Sequence, residues 1–211
     1  MGLKQTLHNW KQYSKMADLG EIVRRKFFNN CFDGALTCAG IVSGIFILFL
    51  TDSSAYSTQN VLIMGFATAL AIGISGLWGA YLSEEAERKK KFVDMRKEMA
   101  IVDDEDNNNN KKKREKTLLE RAESFATIVA SLVDGGAPVL GGSLPLIPFF
   151  FGGELTFVHF VFSYIILIGL LIYLGIYLGK ISGGGRARYA VHLVMAGVVT
   201  LIVSLLLGQI T

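Results

Sequence analysis

The chain has 211 residues, of which 51% are hydrophobic and only 18% charged, and its mean hydropathy is +0.42. A soluble domain carries about 25% charged residues, so the composition argues against one. The net charge of +3 gives no sign of a nucleic-acid partner, and none is expected.

In chain order, residues 1–30 are mixed and charged. They do not read as a secretory signal, because the first apolar run is too long and starts too far along. The stretch 7–28 places Trp10, Tyr13, Met16, Leu19, Ile22, Val23 and Phe27 among basic residues. It reads either as a helix lying along the membrane surface or as a soluble leader helix. Residues 31–50 and 61–82 are each long enough to cross a hydrocarbon core, which takes roughly 20 helical residues. Cys31 and Cys38, seven apart on one helix, are expected to be packing residues.

A polar linker, 83–124, follows. It opens as a continuation of the second span through Ser83-Glu84-Glu85-Ala86-Glu87-Arg88-Lys89-Lys90-Lys91, then passes Met95 and Met99. Next come an acidic run (103–106), an asparagine run (107–110) and a lysine run (111–113), and helix is predicted to resume near Thr117. The asparagines are expected to form a flexible tip between two helical arms. The third apolar run, 125–151, is interrupted by Gly135, Gly136, Pro138, Gly141, Gly142, Pro145 and Pro148. It predicts a crossing helix with an irregular middle or end, which is tolerated at membrane depth only where protein or a wet cavity satisfies the backbone. Residues 156–179 and 190–208 supply two more spans. The prediction is an all-α polytopic membrane protein with five transmembrane helices and a cytoplasmic helical insert between spans two and three. Its regions are 1–30, 31–82, 83–124 and 125–211.

Charge sets the orientation. Six basic residues lie in 1–30, twelve between Arg88 and Arg121, and Lys180, Arg186 and Arg188 complete the 21. The loops 51–60 and 152–154 contain none. The positive-inside rule therefore predicts a cytoplasmic N-terminus, linker and 180–189 loop, with the C-terminus on the opposite side after an odd number of spans.

Asp33 and Asp134 are the sharpest candidates for chemistry. Each lies in or at the end of an apolar run and is followed by glycine. An ionisable residue within a span costs roughly 2.5–3.5 kcal/mol on insertion scales and usually faces a cavity or partner. Counted along its apolar run, Asp134 is the deeper of the two, whereas Asp33 also reads as an interfacial cap near Arg25 and Lys26. Carboxylates of this kind bind hard divalent cations or carry protons. Asp33-Gly34 with Gly40 is echoed by Asp134-Gly135 with Gly141, a pattern open to either an internal repeat or chance. Gly40 and Gly44, Gly175 and Gly179, and the trio Gly73, Gly76 and Gly79 are expected to line helix contacts. His159 and His192 lie near span ends without local metal-ligand spacing and read as packing residues. In the linker, Glu84 with Glu87 and Glu120 with Glu123 share helix faces, as do Met95 and Met99. If the arms pack together, the four carboxylates and a thioether could converge on a soft-to-borderline divalent metal. The alternative is solvated acids paired with neighbouring lysines and arginines.

These features resemble the vacuolar iron transporter family. The segment Gly141-Gly142-Ser143-Leu144-Pro145-Leu146-Ile147-Pro148-Phe149-Phe150-Phe151 is similar to that family's third-span pattern. Gly20-Glu21-Ile22-Val23-Arg24 with Asp33-Gly34 is similar to its first-span start, and Ser75, Gly79, Tyr81, Leu82 and Ser83 to its second-span exit. The resemblance implies a homodimer in the lipid bilayer that exports Fe²⁺ or Mn²⁺ from the cytoplasm in exchange for protons. The ion path would run between the copies past Asp33, with Thr68, Ser75, Gly76 and Asp134 along it, and the insert would form a carboxylate and methionine metal site. No tightly bound cofactor is expected beyond the transported ion. The chain departs from its relatives at Thr68 and Gly76, where they carry glutamate and methionine, and at Ala80, where bacterial relatives have glutamate. Asp134 lies outside the common pattern and is a candidate to replace a lost carboxylate.

Two other classes compete. An intramembrane enzyme is disfavoured, because Asp134 lacks the preceding Gly-x-Gly of intramembrane aspartyl proteases and Asp33-Gly34 lacks the downstream aspartates of a CDP-alcohol transferase. A non-transporting sensor or scaffold with the same fold is the other alternative. No Walker-type phosphate loop is present, which argues against ATP-driven pumping.

Overall fold

The computed structural model describes residues 18–52, 56–98 and 118–208, with side chains omitted for 96–98 and 118–120. Its elements are α1 (Leu19–Thr51), α2 (Thr58–Glu98), α3 (Leu118–Ser143), a 3₁₀ helix (Leu144–Phe150), α4 (Phe157–Ile181) and α5 (Arg186–Gly208). Among the described residues, five helices are long and apolar enough to cross a membrane. The protein is all-α and polytopic, as its apolar runs predict.

Two helices extend past the apolar runs that announce them. α1 begins at Leu19 and continues unbroken into the span, with Leu19 and Phe28 buried. Phe28 stacks on Tyr177 of α4 at a centroid distance of 4.6 Å. Residues 7–17 of the mixed N-terminal stretch lie outside the described residues. α2 continues from its span into the linker as a single helix of 41 residues, and no proline interrupts it. The asparagine run lies outside the described residues.

α3 is the most enclosed span, packed between α1 and α2. The glycine pattern makes this possible. A Cβ on Gly34 would overlap the backbone of Pro138, and one on Gly141 would overlap the backbone of Cys31. Against α2, the Cβ of a residue at 135 would sit 2.6 Å from the carbonyl oxygen of Gly73. Helices approach this closely only through small residues, and the gain is van der Waals contact that lipid cannot supply as well. Pro138 lies inside α3. It has no N–H to offer the Asp134 carbonyl one turn earlier, and Gly76 of α2 packs against that same oxygen, where a Cβ would come within 2.8 Å.

The irregularity expected in the third span falls at its end. The α-helix stops at Ser143 and Pro145 and Pro148 turn the chain into the 3₁₀ helix, which packs into a core of Val42, Ile45, Val61, Leu146, Phe149 and Phe160. The backbone freed there is satisfied by protein. Ser163 Oγ donates to the Pro145 carbonyl at 2.7 Å, and Thr58 Oγ1 donates to that of Gly152 at 2.8 Å. His159 pins the turn that follows. Its Nε2 lies 3.0 Å from the Phe151 carbonyl, which can only accept, so Nε2 carries the proton. Nδ1 then accepts from the Thr156 N–H at 3.2 Å and from its hydroxyl at 2.8 Å.

The small residues divide into two groups. Gly175 and Gly179 of α4 lie against Ala190 and Arg186 of α5, as expected of a helix contact. Gly44 and Gly79 have nothing within 4 Å of a Cβ, and Gly40 only reaches Thr200 at 4.0 Å. Gly40 and Gly44 instead floor an open groove between α1 and α5. The expectation that every such pair marks a contact is corrected there. Cys31 and Cys38 are both buried and free.

Gly34→Ala is expected to lower stability by about 1–3 kcal/mol through overpacking. Gly44→Ala should be neutral or stabilise by up to about 1 kcal/mol through helix propensity. Denaturation in the same detergent checks both, and equal effects at the two positions would contradict the crossing described.

Candidate functional site

At the linker side of the bundle, three helices each contribute to one charged cluster. Lys26 Nζ of α1 lies 2.6 Å from Asp134 Oδ2 of α3 and 3.3 Å from Glu84 Oε1 of α2. Asn30, one turn after Lys26, donates its Nδ2 to the other Asp134 oxygen at 2.7 Å and bonds the Lys26 carbonyl at 2.9 Å. Asp134 is 8% exposed. Its carboxylate is thus matched by a cation and an amide, which lets a buried charge persist. One ammonium thus serves two carboxylates, the nearer being that of Asp134.

The two aspartates occupy different settings. Asp134 is bound at the level of Lys26 and Asn30, so Asp33 lies three to seven residues further along α1, about 4–10 Å of helix rise. The depth order inferred from run lengths is reversed: α3 starts before the apolar run, and its first turns belong with the charged arms. Asp33 is exposed. Its backbone carbonyl accepts from Thr37 Oγ1 at 2.9 Å, and among the described residues its carboxylate makes no ion pair. Their glycines also differ, Gly34 meeting Pro138 while Gly135 meets Gly73 and Leu77.

On α2, Thr68 returns its hydroxyl to the Met64 carbonyl at 2.8 Å, Ser75 is exposed, and Gly76 is filled by the α3 backbone. No side chain larger than hydrogen fits at 76 without moving α3.

The linker arms do pack. Arg88 of α2 donates to the Ser124 hydroxyl, and Lys91 pairs with Glu123 at 3.0 Å. Glu84 faces Lys26, Glu87 is exposed, and Met95 is half-buried. Met99 lies outside the described residues, as does the side chain of Glu120. Among the described residues, no group of three or more His, Cys, Asp or Glu side chains is arranged to hold a metal ion, and two of the linker acids, Glu84 and Glu123, are held by lysines.

Lys26 and Asn30 escaped the sequence reading. Their signal was an i, i+4 pair on one face, the lysine being the last basic residue before the apolar run. It identifies a face but not the partner, which is 108 residues away.

Lys26→Met leaves Asp134 buried without its cation and should cost about 3–5 kcal/mol of stability. Adding Asp134→Asn should recover most of it. A double-mutant cycle measured by denaturation in detergent tests the pair, and additive effects would refute the coupling.

Two comparisons bear on this arrangement. The VIT family pattern matches residues 101–209, more than half of the chain. The match contains Asp134 and α3 to α5 but not Asp33. The chain is also 26% identical, over 163 residues, to an uncharacterized protein of Methanocaldococcus jannaschii, a stretch covering 77% of this chain and 76% of that one.

Proposed function

The chain belongs to the VIT family, a family of membrane ion transporters rather than enzymes, and on that premise we propose that it exports Fe²⁺ or Mn²⁺ from the cytoplasm in exchange for protons. The observation that carries this reading is the Lys26–Asp134–Glu84 cluster, which holds two carboxylates at the linker side of the bundle. A cation arriving there meets carboxylates already inside the protein, and the Asp33 carboxylate lies beyond them along α1. Hard oxygen ligands suit Mn²⁺, and Fe²⁺ accepts them. A carboxylate holds either a metal ion or a proton, and this alternation supports exchange.

The bare Asp33 also supports a homodimer. Left against lipid, a carboxylate at this position is costly, and a second copy facing it closes a polar path between the protomers. Ser75 and the uncovered Gly79 lie on an exposed stretch of α2 with Ile74, Trp78 and Leu82, a surface suited to the same contact. The orientation follows from the basic residues, with the N-terminus and linker in the cytoplasm and the C-terminus opposite.

One observation favours a second reading, a sensor or scaffold that keeps the fold without moving ions. Asp134 is already neutralised by Lys26, and Thr68 and Gly76 supply no replacement ligand of their own. In the linker, Glu84 and Glu123 are each already held by a lysine.

Uptake of Mn²⁺ and Fe²⁺ into proteoliposomes under a pH gradient separates the readings. Asp33→Asn and Asp134→Asn should each reduce flux about tenfold or more, equivalent to ~1.4 kcal/mol or more. Unchanged flux in both would remove the site assignment, loss of gradient dependence would remove the proton coupling, and no flux of any divalent ion in the parent protein would favour the sensor. Cysteine labelling at 111 and 211 should find the two positions on opposite faces.

A further inference from the structure

A groove of about 680 Å³ runs between α4 and α5 on the side of the 182–185 turn. Ile172 and Ile176 form one wall and Val191, Val194 and Met195 the other, with Arg186 at the turn end. Such a volume is within the range of small-molecule clefts, roughly 300–1,000 Å³. Its rims are apolar and exposed: Ile176 is 44% accessible and Met195 59%. Arg186 does not hang on a loose loop. Gly175 and Gly179 let the start of α5 rest directly on α4, with Gly179 so close that a Cβ would come within 2.7 Å of the Arg186 Cα.

Among the described residues this charge makes no ion pair. Lys180, Arg186 and Arg188 lie around this turn, and the sequence from 155 to 211 contains no aspartate or glutamate. The first turn of α5 holds no acid, and among the described residues Arg186 makes no ion pair. A planar guanidinium matches a phosphate through two parallel hydrogen bonds. An apolar trough open to the hydrocarbon, ending in an arginine without an ion pair among the described residues, matches the two halves of a lipid. Basic pockets between transmembrane helices hold anionic headgroups by this chemistry.

We propose that the α4–α5 groove binds one anionic phospholipid, its phosphate on Arg186 and an acyl chain between Ile176 and Met195. Free phosphate would satisfy the arginine but leave the trough unfilled. The lipid would also add contacts to α5, whose span is only 11% buried within the protein. This site is independent of the ion route and does not rely on transport.

Native mass spectrometry of the full-length protein in detergent tests it, using phosphatidylglycerol and phosphatidylcholine with identical acyl chains. Phosphatidylglycerol should be retained in preference to phosphatidylcholine. Arg186→Gln should lower its occupancy about fivefold, equivalent to ~1 kcal/mol, and Arg186→Lys less. Met195→Trp, which fills the trough and leaves every charge in place, should also lower it, and it carries the test if the arginine variants fail to fold. Equal retention of the two lipids would overturn the proposal, as would wild-type phosphatidylglycerol binding in both Arg186→Gln and Met195→Trp. Displacement by inorganic phosphate alone would identify free phosphate as the ligand and overturn it too. Met195→Trp breaking an oligomer without changing lipid retention would assign the groove to a second copy of the chain.

Discussion

A carboxylate on the most enclosed helix of a membrane bundle has to find a cation, and the pairing of Asp134 with Lys26 organises much of what surrounds it. For Lys26 to reach Asp134, α1 must already be helical well before its apolar run, and it must lie against α3 from that point on. For Glu84 to share the ammonium, α2 must leave its span still helical and on the same side. The close crossing of Gly34 over Pro138 lies one to two turns beyond these contacts, so the electrostatic cluster and the tightest backbone contact hold the same pair of helices at neighbouring levels.

Within this frame Pro138 has a specific consequence. It removes the helical hydrogen bond to the Asp134 carbonyl, and that oxygen is then covered by Gly76 of α2. One residue thus engages α1 through its side chain and α2 through its backbone. A methionine at 76, as the family resemblance leads one to expect, has no room in this packing.

Much of the architecture was legible in the sequence because its signals are local. Run length marks a span, and proline spacing marks where α3 gives way to the 3₁₀ helix. The continuation of α2 into the linker was readable from an unbroken stretch of helix formers. What was not legible depends on partners distant in the chain. The level of Asp134 was misjudged because counting along 125–151 ignores which helix it faces. Lys26 looked like a topological marker, and only the fold reveals its partner. Small-residue spacing permits close approach without requiring it, so Gly175 and Gly179 meet a helix while Gly40 and Gly44 border a groove. Of the site, the carboxylates at 33, 84 and 134 were named from sequence, whereas the ammonium and amide that engage Asp134 were not.

The length of α2 has a mechanical side. Its 41 residues extend about 60 Å, roughly twice the thickness of the hydrocarbon, without a proline hinge. It meets α3 at Gly73 and Gly76 inside its apolar run and again through Arg88 and Lys91 beyond that run. The linker arm is therefore not a free extension of the span but a continuation of the same two-helix seam, braced on both sides of the Lys26–Glu84 contact.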